Sequence, residues 1–86
     1  MILIFHKYFQ KKLKKRTTKE REQFTSRAKL FSEDPYNLIL NNHALHGKYA
    51  GSRSINVTGD LRAVFTEQND NTMLFVDIDT HPNLYK

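Results

Sequence analysis

Three short stretches of this chain concentrate side chains able to move protons or hold a phosphate. They are Asn42-His43-Ala44-Leu45-His46-Gly47, Asp60-Leu61-Arg62 and Asp79-Thr80-His81-Pro82-Asn83-Leu84-Tyr85. Histidine and aspartate exchange protons near neutral pH, and arginine grips phosphate through two parallel N–H bonds. Together they match what cleavage of RNA by its own 2′-hydroxyl requires: a base for that hydroxyl, an acid for the leaving 5′-oxygen, and cations for the charged phosphorane. Arg53 or Arg62 can supply the cation. His43 and His46 could ligate zinc by residue type, but no third ligand of the usual motif follows and the chain has no cysteine, so neither metal nor cofactor is expected. Singly, each residue has a plainer explanation. His43 can hydrogen-bond a loop, aspartate suits a turn at position 60, Arg62 can be a solvated strand residue, and Tyr85 can seal the core.

The elements that must position these groups follow from the hydrophobic period. Met1-Ile2-Leu3-Ile4-Phe5 reads as a first strand, since the apolar run stops at His6-Lys7, far short of the ~20 residues that cross a bilayer. From about His6 to Phe31 the chain is rich in Lys, Gln, Glu and Arg with spaced apolar residues, which is helical patterning. Thr17 or Thr18 can cap a second helix, with Glu20 and Glu22 favoured in its first turn by the helix dipole, so the region splits into a two-helix hairpin. Its second arm should stop near Asp34-Pro35, because proline disfavours helical geometry in the preceding residue. A short segment is then expected to carry Tyr36, Leu38, Ile39 and Leu40 into the core.

Beyond Ser52 the period becomes two. Ile55 and Val57 alternate with polar neighbours, a turn follows at Thr58-Gly59-Asp60, and Leu61, Ala63 and Phe65 continue the alternation. A second turn at Asn69-Asp70-Asn71 leads into Met73 to Asp79, where Leu74, Val76 and Ile78 are expected on one face. The result is an antiparallel meander with one face on the helices and Asn56, Arg62, Asp77 and Asp79 toward solvent. The fold class is therefore α+β: an N-terminal strand and a basic two-helix hairpin packed on an antiparallel sheet of about four strands, in a single domain spanning residues 1–86.

Charge narrows the partner. The formal net charge is +5, and residues 1–29 hold ten of the fourteen Lys and Arg with only Glu20 and Glu22 as acids. A field of that sign attracts polyanions, although a solvated helical face is the commoner use of such a run. The lack of cysteine suits a reducing cytoplasm, and no membrane association is expected.

The stretch from Asn42 to Phe65, with the ending Asp79-Thr80-His81-Pro82-Asn83-Leu84-Tyr85, resembles the YafQ-type toxins of the RelE superfamily. The resemblance implies a RelE-like fold and a type II toxin that cleaves mRNA, usually on the ribosome, and is neutralised by a cognate antitoxin protein. Carried over residue by residue, it implies His43, Asp60, His81 and Tyr85 as catalytic, with His81 the general acid or base. Arg53, Arg62, Asn56, His46 and Lys48 are then candidates for contact with RNA or its phosphates. Two positions depart from the pattern. Asn56 stands where such proteins often have another histidine and can position but not shuttle protons, so either His46 or His81 takes that duty or Arg62 does more by electrostatics. Asp79 replaces a glycine and sets a negative charge where phosphate would approach. Two alternatives share the same composition: a non-catalytic ParE-like toxin acting on DNA gyrase, which has no need of proton-transfer groups, and a small basic RNA-binding or ribosome-associated protein.

Overall fold

A computed structural model describes residues 1–85. Strand β1 (Ile2–Phe5) leads directly into helix α1 (Lys7–Lys14), whose first turn is capped by His6 Nδ1 accepting from the Tyr8 N–H at 3.0 Å. Helix α2 (Thr18–Glu33) starts at a complete capping box: Thr17 Oγ1 accepts from the Glu20 N–H, and the Glu20 carboxylate accepts from the Thr17 N–H, both at 3.1 Å. It ends at Glu33, ahead of Pro35, where the sequence predicts. Strands β2 (His43–Ala44), β3 (Arg53–Asn56), β4 (Leu61–Asn69) and β5 (Thr72–Thr80) follow, and a last turn of helix, α3 (His81–Leu84), closes the chain. Both predicted turns fall between these strands. No helix among the described residues is long and apolar enough to cross a membrane.

The fold is α+β as expected, with more sheet than the period alone reveals. The order is β1-β5-β4-β3-β2; β1 pairs parallel with β5, and the other neighbours are antiparallel. Five strands form a mixed sheet because α1 and α2 return the chain to the opposite side of the molecule, letting β1 lie alongside the last strand. β1 covers β5 only from Thr72 to Phe75, and α1 packs along β5 as well.

All six phenylalanines meet on the helix side. Phe75 is their hub, with ring centroids at 5.4–5.7 Å from Phe5, Phe9, Phe24, Phe31 and Phe65. Tilted and edge-on contacts of this kind add to simple burial.

Two expectations about packing are corrected. Only Leu40 of the 36–40 segment is buried, while Tyr36, Leu38 and Ile39 stand exposed; a tight 3₁₀ turn over Leu38–Leu40 sends one side chain inward and leaves the others out. Second, Leu74, Val76 and Ile78 do not share a face. The register passes from Val64↔Asp77 to Phe65↔Phe75, so Val76 is an extra residue, a β-bulge that reverses the alternation. Phe75 before it and Ile78 after it both reach the helix side, whereas Val76 packs with Val64, Leu45, Leu84 and Tyr49 in a smaller cluster.

Candidate active site

The face of the sheet turned away from the helices carries the polar residues, and strand pairing orders them in rows, since residues directly opposite point to the same side. One row runs His43, Ser54, Val64, Asp77 across β2 to β5. The next, toward the Thr58-Gly59-Asp60 turn, runs Asn56, Arg62, Asp79.

Beyond that second row, the hairpin turn and the chain end meet. The His81 N–H donates to the Asp60 carbonyl at 2.9 Å, and the His81 and Tyr85 rings lie 4.6 Å apart. Both rings are exposed at the end of the sheet. Pro82 at the start of α3 suits the first helical turn, where a missing N–H costs nothing. The Arg62 guanidinium donates to the carbonyls of Thr58, Gly59 and Leu61 at 3.0–3.2 Å. It therefore braces the turn and keeps a fixed positive charge beside Asp60.

Asp60, His81, Tyr85, Arg62 and Asn56 thus share one end of the open face. His43 does not join them. It sits on the edge strand β2, three strand spacings or about 14 Å from β5. Its Nδ1 lies 2.7 Å from the Asn41 carbonyl. A carbonyl only accepts, so Nδ1 is the donor in this contact and Nε2 lies outside it. Arg53 alternates to the helix side: it pairs with Phe65, donates to Asn42 Oδ1 at 2.8 Å, and lies 5.7 Å from the Tyr36 ring centre. His46 and Lys48 are exposed around a 3₁₀ turn (Gly47–Tyr49) that begins with Gly47 in the left-handed region, φ 67°. With Tyr49, Leu84 and Tyr85 they line a depression of about 210 Å³, which connects these residues to the Tyr85 end of the site. A larger depression of about 450 Å³ opens between α1 and α2 over the phenylalanine core, far from these groups.

A polar cluster on the same face was not anticipated. Asp77, expected in solvent, is buried. The Lys12 ammonium of α1 donates to Asp77 Oδ1 at 2.6 Å and to Asp79 Oδ2 at 2.8 Å, while the Tyr49 hydroxyl donates to Asp77 Oδ2 at 2.5 Å. Asp79 Oδ1 in turn accepts from the Thr80 N–H at 2.8 Å and from Asn83 Nδ2 at 3.0 Å. Burial pushes the Asp79 carboxyl up, but the bonds from Lys12, Asn83 and Thr80 outweigh it and hold it at about 2. Burial pulls the Lys12 ammonium down, and the two carboxylates more than restore it, leaving it above its ordinary value. Tyr49 is raised to about 12 by burial and by its bond to the Asp77 carboxylate. Sequence hid this cluster because Lys12 is one cation in a basic run, and Asp77 and Asp79 alternate as a solvent face would. Two buried polar atoms on the same face, Ser54 Oγ and Asn56 Oδ1, have no hydrogen-bond partner among the described residues.

Comparison of the backbone with solved structures finds close matches over nearly the whole chain. YafQ from Escherichia coli strain BL21(DE3) superposes with a TM-score of 0.77 over 98% of this chain and 97% of its own, at 18% identity. The fold is that of the YafQ toxin. YafQ in the E. coli DinJ-YafQ toxin-antitoxin complex matches at a TM-score of 0.75 over 98% and 96%, at 19% identity. A YoeB/ParE toxin from Agrobacterium tumefaciens matches at 0.74 over 94% and 99%, at 18% identity. No family profile and no curated protein sequence matches. The likeness to YafQ is therefore one of architecture, and chemistry must be argued from the residues on the open face.

Proposed function

We propose that the chain is the toxin of a type II toxin-antitoxin pair, a metal-independent endoribonuclease that cleaves mRNA on the ribosome. The observation that carries this proposal is the junction of Asp60, His81 and Tyr85 at one end of an open sheet face, beside the Arg62 guanidinium. In this mechanism a base takes the 2′-hydroxyl proton, the 2′-oxygen attacks the adjacent phosphorus, and an acid protonates the departing 5′-oxygen. The products are a 2′,3′-cyclic phosphate and a 5′-hydroxyl end. His81, exposed and carried on a short helix, serves as acid or base, with Asp60 as its neighbour in proton transfer or positioning. Tyr85 orients the His81 ring and offers a face for a base to stack upon. Arg62 and Asn56 stabilise and position the phosphate, with His46 and Lys48 contacting RNA along the adjoining depression. His43, its Nε2 available, engages the substrate from the far edge of the same face.

The antitoxin follows from the same proposal: YafQ has been solved with DinJ, and the basic helices here suit an acidic segment that folds on binding. The cytoplasm, where mRNA and ribosomes are met, is the proposed site of action.

Induced expression of wild type and His81→Ala, with mapping of cellular mRNA ends, tests the proposal. Growth arrest with new 5′-hydroxyl ends in wild type alone is expected. Arrest without new ends would instead favour the gyrase-directed alternative, which the Agrobacterium YoeB/ParE neighbour keeps in view. Salt-sensitive RNA binding with neither scission nor arrest would favour a plain RNA-binding protein.

A further inference from the structure

Alone among the seven lysines in residues 1–29, Lys12 is half-buried; the other six point into water. Ordering a lysine side chain and partly drying its ammonium are both unfavourable, so a lysine is held this way only where strong partners fix it. Its two partners are unusual as well. Asp77 and Asp79 lie two residues apart on one strand face, about 7 Å along β5, and both carboxylates close on the same ammonium.

Each carboxylate also holds a different segment of the candidate site. Asp77 accepts from Tyr49, in the 3₁₀ turn that follows His46 and contains Lys48. Asp79 accepts from the Thr80 N–H and from Asn83, fixing the start and the middle of the α3 turn on which His81 and Tyr85 ride. A depression of about 360 Å³ lined by Lys12, Lys48, Tyr49, Asp77, Asp79 and Asn83 adjoins the one bounded by His46 and Tyr85, with Lys48, Tyr49 and Leu84 common to both. Lys12 comes from α1, so the cation that joins the two segments lies outside both and outside the sheet.

We infer that Lys12 is a positioning residue for the reaction, clasping Asp77 and Asp79 so that the His46–Tyr49 turn and the His81–Tyr85 helix are held in register. The inference rests on the ribonuclease proposal for its catalytic meaning, while the clasp itself can be read without activity. Asp77 would otherwise be a buried carboxylate beside a second one, and their mutual repulsion would push apart the two segments they hold. A misplacement of about 1 Å at a proton-transfer group can cost on the order of 100-fold in rate.

The test uses the full chain with programmed ribosomes and a defined mRNA, comparing Lys12→Met, Lys12→Arg, Asp79→Asn and the Lys12→Met/Asp79→Asn double variant. A fall of at least about tenfold in kcat is expected for Lys12→Met, with KM changed less than about threefold and most of kcat recovered in Lys12→Arg. The double variant should match Lys12→Met rather than multiply the two losses, because both changes break one link. Wild-type kcat in Lys12→Met, a loss confined to KM, or multiplicative losses would each overturn the inference. Amide hydrogen exchange supplies the activity-free arm. In Lys12→Met, protection at Tyr85 and at Ala50 and Ser52 beside Tyr49 should fall together while the α2 amides stay protected. If wild type cleaves nothing, the ribonuclease proposal falls, and unchanged exchange at those amides would sink the clasp as well. Should Lys12→Met unfold, Asp79→Asn and Asn83→Ala probe the same link from its other end, with wild-type kcat in both counting against it.

Discussion

On the helix side of the sheet, five phenylalanine rings converge on a sixth, Phe75, within a buried cluster of apolar side chains. On the open side, the same strands present His43, Asn56, Arg62, Asp77 and Asp79, with Leu45, Val64 and Leu84 buried beside them as a smaller apolar patch. One face gains its stability from contacts that any solvent would favour less. The other arranges groups whose value lies in charge and proton affinity, and it tolerates two buried polar atoms without partners among the described residues. Stability and chemistry are thus segregated by the two-residue alternation of β3, β4 and β5. Side chains on one face can change without disturbing the other, and that separation is open to experiment.

The largest effect is expected from His81→Ala. His81 is exposed and makes no side-chain hydrogen bond among the described residues, while its ring lies against Tyr85 at the candidate site. Removal of a general acid or base lowers the rate by roughly 10²–10⁴. The thermal midpoint should stay within a few degrees of wild type, so cleavage assays and a melt on the same sample separate the two faces. A parallel loss of both would break the comparison.

Phe75→Ala is the counterpart on the covered face. Deleting a ring that touches five others should cost about 3–5 kcal/mol, a large part of the roughly 5–10 kcal/mol that a domain of this size has available. Denaturant titration measures it. Activity per folded molecule should survive, since Phe75 points away from the open face.

How far such partitioning could be read from residues alone differs between the two faces. The capping box at Thr17, the turn at Thr58-Gly59-Asp60 and the alternation of Ile55, Val57, Leu61, Ala63 and Phe65 are local signals, and the fold obeys each of them. The parallel pairing of β1 with β5 joins residues some seventy positions apart, and nothing near Ile2 announces Thr72. The bulge at Val76 was equally hidden, since an extra residue leaves the composition of a strand unchanged while exchanging its faces. That slip is why strict alternation turns Phe75 away from the core; Asp77 keeps the face that alternation gives it and is buried by Lys12 and Tyr49 instead. The meeting of Asp60 with His81 was within reach, because a meander sets its first turn beside its last strand's end; the separation of His43 from them depends on strand order, which the residues do not state.

A smaller effect should appear in acid. Asp79 is held at about 2 against an ordinary 3.8, so its pairing stabilises the folded state above about pH 4 and that contribution is lost as pH falls toward 2. With the side chain 21% exposed, the contribution is on the order of 1–2 kcal/mol after solvent screening. Lys12 and Tyr49 act at the opposite limit: both are raised, so what they contribute is present below their ordinary values near 10 and is lost as pH rises beyond them. Denaturant titrations between pH 2 and 5 should show the acid limb in wild type and a shallower one in Asp79→Asn, where no carboxyl remains to titrate at that position. An equal slope in both proteins would mean that other carboxylates dominate acid unfolding.

The smallest effect is the sharpest test of the open face. Ser54 sits wholly buried on β3 between His43 and Val64, and its hydroxyl meets no partner among the described residues. An unpaired buried hydroxyl has lost its hydration without replacement, so Ser54→Ala should be neutral or stabilising by up to about 1 kcal/mol, although most substitutions at buried sites destabilise. The same change on the helix side, such as Ala63→Ser, should destabilise by about 1–3 kcal/mol, because it adds the same hydroxyl to an apolar core. Opposite signs for one atom, moved across a single sheet, are what segregation of the two faces requires. A loss of more than 1 kcal/mol for Ser54→Ala would mean that the hydroxyl is bonded after all, to water admitted from the open side, and that this face is wetter at its centre than its packing implies.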